Sequence, residues 1–99
     1  MSPQLYFLLR LGLLNPLQTL IQQNLSNTFL TSHQIDQLIS HSPLKQQLCM
    51  ALAPYSPSGF KEPSSFVGAI CADLANSGSI RRSMAFCPIT NSVRPAFSL

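Results

Sequence analysis

Three times in its first 43 residues this chain sets a small polar residue directly before a proline: Ser2-Pro3, Asn15-Pro16 and Ser42-Pro43. That pairing constrains the fold more than any other feature. The polar side chain can accept from the free N–H groups of a first helical turn. A proline at the first helical position loses no hydrogen bond and arrives with φ already set. Each pair predicts the start of a helix, and each helix must be short because the next signal closes it.

The first predicted helix covers residues 3–14. From Leu5 to Leu14 only Arg10 and Gly12 interrupt an apolar run. A helix without a polar face is buried, paired with another chain or laid on lipid. The second, residues 16–29, is amphipathic, with Leu17, Leu20, Ile21, Leu25 and Phe29 on one side and Gln18, Gln22, Gln23 and Ser26 on the other. Thr31 marks the third. With Thr31 as N-cap, Gln34 completes a capping box and Leu30 meets Ile35 as a hydrophobic staple, opening a helix that runs to about Ser40. The fourth starts at Ser42-Pro43, buries Leu44, Leu48, Ala51 and Leu52, and must end before Pro54.

Residues 54–64, PYSPSGFKEPS, read as an internal linker. Ser64 or Ser65 then caps a fifth helix to about Asn76, with Phe66, Ile70 and Leu74 as its ridge and Gly78 as a left-handed stop. Ile80–Phe86 fits a short helix or an extended strand, and Cys87–Leu99, which contains Pro95, reads as irregular. The expected fold is all-α: a small irregular or orthogonal bundle of four to five short helices. A helical domain of residues 1–78 is followed by a largely unstructured basic tail, residues 79–99.

Charge is scarce. Of 99 residues 9% are charged, against about 25% in ordinary domains, which argues against polyelectrolyte disorder. The acids are Asp36, Glu62 and Asp73, and the net charge is +3. Hydrolytic catalysis needs a nucleophile, a base and an orienting group together. The sequence shows no nucleophile elbow, no phosphate-cradling glycine loop and no zinc-protease signature, so no catalytic residue and no cofactor are expected. His33 and His41 stand about 12 Å apart along one helix, too far to share an ion, and no metal is expected. Cys49, Cys71 and Cys87 form no C-x-x-C pair. They predict free thiols in a reducing, intracellular compartment, the cytoplasm before the mitochondrion.

These features predict a non-catalytic helical interaction or adaptor protein. Its partner, another protein or a second copy in a homodimer, would meet the apolar N-terminal helix at Leu5, Tyr6, Leu9 and Leu13. One alternative is a helix–turn–helix-like nucleic-acid module built from helices 32–40 and 43–53. Lys45, Gln46 and Gln47 would face the bases there, and Arg81 and Arg82 would face phosphate. Another is a membrane-surface or mitochondrial protein anchored by residues 3–21. Pro16 and Arg10 argue against that segment spanning a bilayer, but it would suit an interface. No small-molecule substrate is evident.

Overall fold

The computed structural model describes residues 2–55 and 63–99. Five helices precede a β-hairpin: α1 Pro3–Arg10, α2 Leu14–Asn24, α3 Ser32–Leu38, α4 Pro43–Leu52 and α5 Pro63–Asn76. Strand β1, Leu30–Thr31, lies between α2 and α3, while β2, Arg81–Cys87, and β3, Ser92–Ser98, follow α5. A single 3-10 turn, Ala53–Tyr55, follows α4. Within the expected linker, residues 56–62 lie outside the described residues.

Two of the three cap–proline pairs act as read. Ser2 Oγ accepts from the Leu5 N–H at 3.2 Å, and Ser42 Oγ from the Leu44 N–H at 3.2 Å. The Thr31 box closes in both directions. The Thr31 hydroxyl accepts from the Gln34 N–H, and the Gln34 side-chain oxygen accepts from the Thr31 N–H at 2.9 Å. Asn15-Pro16 does not cap. Gly12 takes φ +72° and stops α1 early, with its own N–H bonded to Leu9 O and the Leu13 N–H to Leu8 O, the paired bonds of a left-handed helix stop. The chain re-enters a helix at once. Asn15 and Pro16 therefore fall inside the first turn of α2, whose N-cap Leu13 offers no side-chain bond. Gly78 ends α5 by the same device, at φ +81°.

Helix α5 is the centre of the fold. It packs against α1, α2, α3 and α4, and buries Phe66, Val67, Ile70, Cys71 and Leu74. Leu5 and Leu8 of α1, Leu14, Leu17 and Ile21 of α2, Ile35 of α3, and Leu48 and Leu52 of α4 complete one core with it. Surrounded on so many sides, α5 needs little polar surface, which explains its run of alanine and glycine. Gly68 lies against Ser32, where a methyl group would meet Ser32 Cβ at 3.4 Å.

The all-α expectation is overturned by the last 21 residues. Strands β1, β3 and β2 form an antiparallel sheet in that order, with Leu30 opposite Phe97, Arg82 opposite Phe97 on the other side, and Cys87 opposite Ser92. Residues 79–99 are not an unstructured tail. Phe97 belongs to the core, and the Leu99 N–H donates to Ser26 O at 2.9 Å. Pro95 stands in β3 without conflict for a positional reason. Strand β1 is two residues long and reaches only Ala96, so at Pro95 β3 has a neighbour on one side alone, where a missing N–H is tolerated.

Candidate functional site

Opposed residues of an antiparallel pair share a face, so the register sorts the hairpin. One face carries Arg82 and Phe97, then Met84 and Pro95, then Phe86 and Val93. At its base that face is core, through Phe97. Farther out it is uncovered among the described residues: Met84 is 59% exposed, Phe86 58% and Val93 62%, with Ile89 exposed in the turn. The sheet's apolar face thus continues past the helices into solvent.

Three arginines accompany it and no acid follows Asp73. Arg82 and Arg94 are exposed, and Arg94 Nε donates to Ser92 Oγ at 3.0 Å. Arg81 is committed locally. Its Nε donates to Leu99 O at 2.8 Å and its guanidinium lies 5.3 Å from the Phe29 ring centre. Of the two arginines expected to face phosphate, only Arg82 has its guanidinium without a local bond of this kind.

The turn 88–91 closes around Cys87, with Asn91 at φ +55°, a conformation asparagine tolerates. Cys87 is buried and receives the Thr31 hydroxyl at 3.0 Å. Burial pushes its thiol pKa up, but hydrogen bonds from the Thr31 hydroxyl, the Thr90 N–H and hydroxyl and the Ile89 N–H outweigh this and bring it down to about 7. Burial without such donors pushes Cys71 up to about 12. Cys49 is exposed, and all three thiols are free.

A thiol that ionises more readily folded than unfolded makes stability rise with pH over the interval where only the unfolded chain still holds the proton, and its full contribution is present above that interval. From Cys87, stability therefore rises as pH goes from about 7 towards its ordinary value of 9.0, and is lost as pH falls through 7. Urea midpoints should increase between pH 7 and 8.5 in the native sequence and stay flatter in Cys87→Ala. Equal slopes in the two proteins would refute this.

The other expected contact residues divide sharply. Leu5 and Leu13 are core, so they cannot meet a partner in the folded protein, whereas Tyr6 and Leu9 are exposed together with Leu11. Arg10 lies 6.0 Å from the Tyr6 ring centre. Lys45 is 6% exposed and ion-paired to Asp36 at 2.5 Å, so it reaches neither base nor phosphate. Gln46 and Gln47 are exposed beside it. The expected pairing of α3 with α4 gives way to one of α3 on α5. Residues 3–21 form two helices bent at Gly12, whose apolar side chains largely fill the core, and no described helix is long and apolar enough to cross a membrane. His33 and His41 join no metal-binding cluster among the described residues.

Sequence reasoning missed Met84, Phe86 and Val93. Their signal was present as alternation, since Met84 and Phe86 flank Ala85 and follow Ser83, the period-2 pattern of a strand. No protein-family model matches the chain, and neither a curated protein nor a solved structure matches it.

Proposed function

We propose that this chain is a non-catalytic contact module that binds another protein through the β2–β3 hairpin. The carrying observation is the uncovered run of Met84, Phe86 and Val93 beside Arg82. Aromatic residues, methionine and arginine are the side chains enriched where proteins meet, and contiguous apolar surface of this kind marks interaction sites. Tyr6, Leu9 and Leu11 offer a lesser patch on and just after α1. It lacks the anchors Leu5 and Leu13, which are spent on the core.

Nucleic-acid binding has an observation of its own. A strand, helices and a hairpin, with β3 between β1 and β2, is the layout of helix–turn–helix domains that carry a β-hairpin wing. The analogy is one of fold alone. Helix α5 would be the reading helix, yet its exposed residues are Asp73 and Asn76 and it carries no base. In the hairpin that leaves Arg82 and Arg94, too few charges for strong phosphate binding at physiological salt.

A photoreactive benzoylphenylalanine in place of Phe86, irradiated in the native cell, separates the two. The protein-contact reading expects adducts that resist nuclease, yield to protease and disappear when Met84 and Val93 are both changed to Asp. Nuclease-sensitive adducts, or none, would overturn it.

A further inference from the structure

We propose that the protein meeting the hairpin is a second copy of this chain, joined antiparallel along the outer edge of β2. This names the partner of the contact surface argued above and rests on that reading.

Strand β2 is the outer strand of the sheet, and its far edge has no strand beside it among the described residues. It pairs with β3 without a bulge from Arg81 to Cys87 and contains no proline. Six of its seven residues are exposed or half-buried. An edge of this length lacks the devices that block strand addition, apart from two arginines at one end.

The side chains then select the partner. A two-fold axis normal to the sheet keeps each face continuous only when a residue lies on the axis, and overlap of Arg82–Phe86, the stretch short of the buried Cys87, puts Met84 there. Arg82 then lies opposite the partner's Phe86, where a guanidinium and a ring attract. Met84 meets the partner's Met84, and the apolar faces of the two hairpins merge. Like charges stay apart. At about 3.4 Å per residue, Arg82 is about 14 Å from the partner's Arg82 and Arg81 about 20 Å from the partner's Arg81, both beyond a screening length of about 8 Å. The opposite sheet edge, β1, has two residues, too few to receive β2 head to tail. Pairing therefore closes as a dimer and does not propagate as a fibre.

Cysteines introduced one at a time into the full chain, with the exposed Cys49 changed to Ser and Cys71 and Cys87 left in place because they are buried, test the register. Across an antiparallel pair Cα atoms lie about 4.5–5.5 Å apart, within disulfide reach. Under mild oxidation Met84→Cys should give a covalent dimer. Arg82→Cys alone should give none, but mixed with Phe86→Cys it should give the mixed dimer. Met84→Lys should raise the dimer dissociation constant in sedimentation by about tenfold or more with an unchanged circular-dichroism spectrum. A native chain that stays monomeric up to millimolar concentration, or Arg82→Cys cross-linking to itself as readily as Met84→Cys, would overturn the proposal. If a monomeric chain still gives protein adducts at position 86, the second copy is refuted and the hairpin contact stands. If it gives none, both fall.

Discussion

Truncating Phe66 to alanine should cost about 3–5 kcal/mol, the largest loss expected from any single change in this protein. The reason lies in where α5 sits. Phe66 is wholly buried, its ring centre 5.8 Å from that of Phe7 on α1, in the helix that four others pack against. Removing the ring deletes apolar burial and leaves a cavity bounded by several elements, which cannot all move in to fill it. In a domain of this size each kcal/mol lowers the melting temperature by about 4–8 °C, so calorimetry should show a fall of about 12 °C or more. Phe86→Ala is the internal contrast. That ring is more than half exposed, and its removal should change monomer stability by no more than about 0.5 kcal/mol. A Phe66→Ala protein as stable as the native one would mean that α5 is not the centre of the core.

Changing Lys45 to alanine should cost about 2–4 kcal/mol. Ion pairs on protein surfaces contribute little, but this one is mostly buried: the Lys45 side chain is 8% exposed and that of Asp36 19%. Removing one partner leaves the other charge largely desolvated and unpaired, whereas replacing both with apolar groups removes the penalty as well as the attraction. The residual exposure of Asp36 holds the figure below that of a fully buried pair. Asp36→Leu combined with Lys45→Met should therefore return to within about 1–2 kcal/mol of the native chain. Urea titration of both single variants and the double variant closes the cycle. Additive losses would show that the two side chains do not act as a pair. The same experiment separates stability from contact, since Lys45, which only the alternative nucleic-acid reading set against the bases, is here a structural residue ion-paired across to α3.

Local signals were legible because they need only neighbours along the chain. Ser2, Thr31 and Ser42 cap the helices they were expected to cap, since the groups they satisfy lie two or three residues away. Gly78 stops α5 for the same reason. Asn15-Pro16 misled because two local devices overlapped, and the left-handed Gly12 had already ended the helix before the cap was reached. The N-terminal leucines were rightly read as apolar, but the pattern does not say which of them faces the chain's own core. Leu5 and Leu13 went inward while Leu9 stayed out.

The hairpin failed to show for a different reason. Alternation in Met84–Cys87 was short and Pro95 broke its partner, so neither strand was convincing alone. What makes them strands is each other, together with a two-residue β1 whose brevity leaves room for the proline.

The order and type of the helices, and the points where α1, α3 and α4 begin, were therefore decided by the chain itself, through hydrogen bonds that close within one turn. Which helix is central, that Lys45 is buried, and that the final residues form a sheet with an uncovered face were decided by contacts between separate elements, among them α5 with α1 to α4, Asp36 with Lys45, and Leu30 with Phe97. Such contacts exist only once folding has brought distant segments together, and a one-dimensional pattern carries no record of them.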